Sequence, residues 1–83
     1  STQRVARLEE LCRELHYEFC AQGVGTEDDV LFESTVRGGM MFGYTGNYRR
    51  VKAPYRKEMI GRICRVRLGE IDENCDLQAQ FLE

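Results

Sequence analysis

MMFGYTGNYRRVKAP, residues 40–54, places two short β-type segments around the dipeptide Gly46-Asn47. Glycine followed by asparagine tolerates the backbone of a tight reversal, so the stretch predicts a hairpin. MMFGYT is its first arm and YRRVKA its second, with Val51 as a core residue and Pro54 ending the ladder because it has no N–H to donate. Upstream, TEDDVLFEST (26–35) alternates Val30 and Phe32 against Leu31 and Glu33, the period of a half-buried strand, and Gly38-Gly39 turns it into the hairpin. Downstream, MIGRICRVRL (59–68) sets Cys64, Val66 and Leu68 on one face and Arg65 and Arg67 on the other. Gly61 interrupts that alternation and predicts a bulge or sharp bend. A turn over Asp72–Asn74 then leads to LQAQFLE (77–83). Five short strands with glycine bends predict a mostly β fold, a small five-stranded OB-like barrel.

A helix precedes it. Within residues 3–20, Val5, Leu8, Leu11, Cys12, Leu15 and Phe19 recur at steps of three and four, and Glu9 is placed to support Arg13 one turn on. Gly23 and Gly25 end the helix, dividing the chain into a linker helix at 1–22 and a barrel domain at 23–83. The apolar stripe must either pack on the barrel or bridge to another domain. There is no initiator methionine and Ser1 enters a helix already under way, so a fragment of a longer protein is expected. At 83 residues and 42% apolar, the chain suits one small domain with a modest core. No apolar run has the length of a membrane span, and nothing resembles a secretory leader.

The net charge of −2 hides segregation by segment. Residues 1–35 carry three arginines against eight carboxylates (net −5), residues 36–68 nine cations against Glu58 alone (net +8), and residues 69–83 five carboxylates and no cation (net −5). A basic centre can attract a polyanion even on an acidic molecule, although acidic neighbours brought in by folding would neutralise it. Cys12, Cys20, Cys64 and Cys75 form no Cys-x-x-Cys pair, which points to a reducing cytoplasm. Cys12, His16 and Cys20 share four-residue spacing, but three metal ligands on one helix is a rare arrangement, and an apolar stripe with an ordinary thiol accounts for them.

If residues 48–53 are a strand, Tyr48, Arg50 and Lys52 share a face, and a ring beside two cations suits single-stranded RNA, whose bases stack while its phosphates pair. A partly buried Tyr48 with a satisfied hydroxyl is the alternative. Tyr44, in phase with Phe42, is expected on the core-facing side, and Arg49, on the Val51 side, must snorkel or lie beyond the barrel end. The RNA-binding candidates are Tyr44, Tyr48, Arg49, Arg50, Lys52, Arg56, Lys57, Arg62, Arg65 and Arg67.

VLFE at 30–33, GYTGNYRRV at 43–51, Gly61 and VRLG at 66–69 resemble the TRAM domain, in the Gly-x-Thr-x-Asn-Tyr-x-x-Val form found at the C-terminus of radical-SAM tRNA methylthiotransferases. RLEELCRELHYEFC at 7–20 is similar to the segment joining the radical-SAM barrel to TRAM in that family. The resemblance is greatest to the branch acting on N6-threonylcarbamoyladenosine beside the anticodon, with the isopentenyladenosine-modifying sibling as an alternative. It implies a transferase that uses S-adenosylmethionine and two iron–sulfur clusters to place a methylthio group on adenine, with tRNA and the radical-SAM domain of the same chain as partners. It also implies structural roles for Gly43 and Val51 and adds Asn47 to Tyr48 as a candidate RNA contact. The Cys-x-x-x-Cys-x-x-Cys motif that holds the radical-SAM cluster does not occur in this sequence. The chain is therefore expected to bind and position tRNA without a cofactor, a metal site or catalytic residues of its own.

Two other classes compete. A protein-interaction module would dock through the helix and the basic sheet. An enzyme would need reactive groups that the sequence does not assemble: it has one histidine, no Ser-His-Asp set and no phosphate-cradling glycine loop.

Overall fold

The amphipathic repeat at the start of the chain and the alternating segments after it become one helix and five strands. The computed structural model describes residues 2–82, with side chains from residue 5 onward. Helix α1 spans Thr2–Ala21, followed by β1 (Glu27–Arg37), β2 (Met40–Thr45), β3 (Arg50–Pro54), a 3₁₀ turn (Lys57–Met59), β4 (Ile63–Ile71) and β5 (Leu77–Phe81). The strands close into a barrel in the order β1-β2-β3-β5-β4. All neighbours are antiparallel except β3 and β5, which run parallel and meet at only two register pairs, Val51 with Leu77 and Lys52 with Gln78.

The core is built from inward phases of the strands: Val30 and Phe32 of β1, Met41 of β2, Val51 and Ala53 of β3, Val66 and Leu68 of β4, and Leu77 of β5 are all fully buried. The expected phases of β1, β3 and β4 are observed. That of β2 is reversed for Tyr44: the inward positions are Met41, Gly43 and Thr45, so Phe42 and Tyr44 point outward. Gly43 causes this. A Cβ there would sit 2.5 Å from the Leu31 carbonyl oxygen and 2.7 Å from Val30 Cγ1, so β1 and β2 approach across a position that only glycine can occupy. An inward glycine contributes no apolar signal, which leaves the outward aromatics as the more visible set.

Strand β4 begins later than the sequence suggests, because residues 57–59 coil into the 3₁₀ turn and Gly61, at φ +76°, makes the bend that precedes Ile63. Such a φ favours glycine.

At the other end, α1 stops in tight turns, with Gln22 N donating to Glu18 O (3.0 Å) and Gly23 N to Cys20 O (3.0 Å). Gly25 N then donates to Leu68 O (2.7 Å) and Leu68 N to Thr26 O (2.8 Å), feeding the chain into β1 alongside β4. Among the described side chains of α1, those of the last turn are anchored: Cys20 is fully buried and Phe19 half-buried, whereas Val5, Leu8, Leu11 and Leu15 are exposed. Of the two expectations for the stripe, packing on the barrel is not what occurs along most of its length.

Gly43→Ala is expected to destabilise the barrel by about 1–3 kcal/mol through overpacking, measured by urea unfolding, with β1 and β2 amides losing hydrogen-exchange protection first.

Candidate nucleic-acid interface

The loop joining β2 to β3 is organised by one buried side chain. Thr45, 3% exposed, donates through Oγ1 to Asn47 Oδ1 (2.6 Å) and accepts there from Arg49 N (3.0 Å). Its backbone N–H donates to Arg49 O (3.0 Å), and its carbonyl accepts from Tyr48 N (3.0 Å). These bonds hold Tyr48 at φ +68°, an uncommon conformation for a bulky residue. Tyr48 thus belongs to the turn and not to the predicted strand, which starts at Arg50, so it does not share a strand face with Arg50 and Lys52. Tyr48 is 77% exposed, and its ring lies 6.1 Å, centroid to centroid, from Tyr44 at an interplanar angle of 60°. Asn47 spends its carboxamide oxygen on Thr45, which makes it an organiser of this loop.

Register extends the aromatic pair into a platform. Tyr44 opposes Leu31, and Leu31 opposes Ile63 on β4, giving an exposed apolar row across three strands. With Tyr48 it lines a groove of about 510 Å³, which Asp29 and Glu33 border from the two outward positions flanking Leu31 on β1.

The cations do not form a single belt. Arg50 is bound to Asp76, a carboxylate only 4% exposed, and lies over the Phe42 ring at 5.6 Å. Lys52 is bound to Asp72. Arg65 and Arg67 face Asp29 (3.4 Å) and Glu27 (3.2 Å), their cross-strand register partners on β1. Arg56 lies 3.6 Å from Glu58. Arg49 turns back to α1, its guanidinium 4.3 Å from the Phe19 ring centroid and Nε donating to Phe19 O (2.9 Å), which accounts for an arginine on the expected Val51 side without burying its charge. Among the described residues, Lys57 and Arg62 have no carboxylate at salt-bridge distance.

These pairs are not equivalent. Arg65, Arg67 and Arg56 are in exposed pairs, which contribute little and exchange readily for another anion. Arg50 compensates a buried carboxylate and is committed to it. Arg56, Arg62 and Arg65 converge on a second groove of about 640 Å³ that also holds Phe81, with the Arg56 guanidinium 5.6 Å from that ring. Ile63 lines both grooves, so the tyrosine platform and the arginine groove adjoin across it. Leu31, Ile63 and Phe81 were not among the sequence candidates. Leu31 was already legible as outward-facing, whereas Ile63 gains its role only from its partner across the β1–β4 ladder.

The turn between β4 and β5 explains the committed pairs. Asp72 Oδ1 accepts from Asn74 N (2.8 Å) and Asp76 N (2.9 Å), while its other oxygen takes Lys52. Partial burial pushes the Asp72 carboxyl up, but the Lys52 hydrogen bond and those two backbone donors outweigh it and hold the group below its ordinary range. The hydrogen bond with Asp76 raises Arg50 further from deprotonation. Elsewhere, Cys20 Sγ lies 3.7 Å from His16 Nε2 while Cys12 is exposed. Among the described residues no group of three or more His, Cys, Asp or Glu side chains comes together. Among the described residues no helix is long and apolar enough to cross a membrane.

No protein-family model matches the chain, and no curated protein matches its sequence.

A carboxyl with a depressed folded-state pKa stabilises the fold above the unfolded-state value and loses that contribution as pH falls through the folded one. Acid unfolding is therefore expected to steepen below about pH 4, and Asp72→Asn to flatten it. Arg50→Met, which strands a buried carboxylate, should cost about 1–3 kcal/mol in urea unfolding at neutral pH.

Proposed function

We propose that this chain is the TRAM-like RNA-binding domain, with its linker helix, of a cytoplasmic radical-SAM tRNA methylthiotransferase. Its role is to hold and position tRNA near the anticodon. Threonylcarbamoyladenosine beside the anticodon is the favoured target of the whole enzyme, by sequence resemblance, with isopentenyladenosine as the sibling alternative.

The observation that carries the RNA-binding part is the Tyr48–Tyr44 pair: a strained turn exposes Tyr48 to solvent beside a second ring, on a platform that adjoins a groove of exchangeable arginines across Ile63. Backbone strain of this sort costs of order 1–3 kcal/mol and concentrates at functional positions. Two exposed rings offer stacking to unpaired bases, and Arg56, Arg62 and Arg65 offer phosphate contacts that fix register without choosing sequence. Arg62 and the neighbouring Lys57 need not give up a carboxylate to do this, and the exposed partners of Arg56 and Arg65 yield easily. Arg50 and Lys52 serve the fold first.

The exposed stripe Val5, Leu8, Leu11 and Leu15 favours a second, compatible activity, docking of α1 on a parent or partner domain.

Tyr48→Ala is expected to weaken binding of an unmodified anticodon stem-loop by about 5- to 150-fold, the range for losing one base–aromatic stack. Its melting temperature should be little changed, because Tyr48 is largely exposed and alanine keeps the same positive-φ backbone. Joint replacement of Arg56, Arg62 and Arg65 by alanine should reduce the slope of log affinity against log salt by about 2. Fluorescence anisotropy across a salt series reads both, and wild-type-like values in both variants would contradict the proposal.

A further inference from the structure

The groove over the tyrosine platform is not a uniformly basic track. Its floor is apolar and aromatic, from Leu31, Tyr44 and Ile63, with Tyr48 at its side, and its polar border is acidic. Asp29 and Glu33 extend outward from β1 on either side of Leu31. Asp29 is occupied by Arg65 at 3.4 Å, whereas Glu33 has no cation at salt-bridge distance among the described residues. A phosphate would be repelled here, and the arginine groove on the other side of Ile63 is where the RNA backbone is attracted instead. The two halves thus separate base from backbone by charge.

Resting on the RNA-binding proposal, we infer that the platform is a base pocket in which Glu33 reads the Watson–Crick edge of an unpaired guanine. An ionised carboxylate only accepts hydrogen bonds. Guanine alone presents two adjacent donors on that edge, N1–H and the N2 amino group, which match the two carboxylate oxygens. Adenine and cytosine each set a ring-nitrogen acceptor beside their single amino donor, and uracil flanks N3–H with two carbonyls. Each of those puts a lone pair against the carboxylate. At about 510 Å³ the groove falls within the usual range for small-ligand pockets, roughly 300–1,000 Å³.

The test uses four heptauridine-based RNAs whose central nucleotide is G, A, C or U, titrated into the wild type and Glu33→Gln. Glu33 is exposed, so the substitution leaves the core untouched. The G-containing RNA is expected to bind the wild type about tenfold more tightly than the other three, the scale of one bidentate base contact. Glu33→Gln should bring that ratio below about twofold while binding of the others is kept or improved. Equal wild-type affinity for all four would overturn the guanine pocket and leave RNA binding standing. So would a uniform gain for all four in Glu33→Gln with the G preference intact, since that is only relief of repulsion. No binding to any of the four, or to an anticodon stem-loop, would remove both readings.

Discussion

Closure of the barrel rests on its shortest seam. Strands β3 and β5 run parallel and share two register pairs, a weak ladder compared with the antiparallel contacts elsewhere. The turn before β5 reinforces it: Asp72 takes Lys52 and Asp76 takes Arg50, joining the acidic end of the chain to the basic hairpin. Asp76 is buried and Asp72 caps its own turn, so both carboxylates are held in place at the seam. Opposite charge concentrated in distant segments of sequence therefore serves closure at this seam.

That use of charge moves the binding surface. The two cations of β3 that the sequence sets beside Tyr48 are spent on the seam, and the turn carries Tyr48 off their strand face. The tyrosines face the β1–β4 side instead, where Leu31 and Ile63 complete a platform and Arg56, Arg62 and Arg65 continue it. Stacking residues lie beside cations whose pairs are exposed, and committed cations lie where the barrel needs them. Thr45 links fold to site, because the hydroxyl it buries against the core also holds the turn that presents Tyr48.

Much of this was legible. Alternation around Val30, Phe32, Val51, Val66 and Leu68 gave the strands and their inward faces, and the Gly46-Asn47 signal placed the hairpin. Tyr44 faces outward, against the expectation drawn from its phase with Phe42, because its strand hides a glycine at the tightest crossing, and a missing side chain leaves no hydrophobic trace. Tyr48 was placed on a strand because alternation says nothing of hydrogen bonds from a threonine three residues earlier. The charge pairing was visible only as segregation by segment; that Arg50 and Lys52 meet Asp76 and Asp72 depends on a parallel β3–β5 contact that no local pattern encodes. Ile63 was missed because its function comes from a neighbour thirty-two positions away in sequence, Leu31.

Chemical-shift mapping of the isotope-labelled protein with an unmodified anticodon stem-loop tests the displaced surface most directly. Perturbations are expected to concentrate at Leu31, Tyr44, Tyr48, Arg62 and Ile63, with the Arg50 and Lys52 side chains little changed. Shifts centred on Arg50 and Lys52, with Tyr48 and Ile63 silent, would contradict the account.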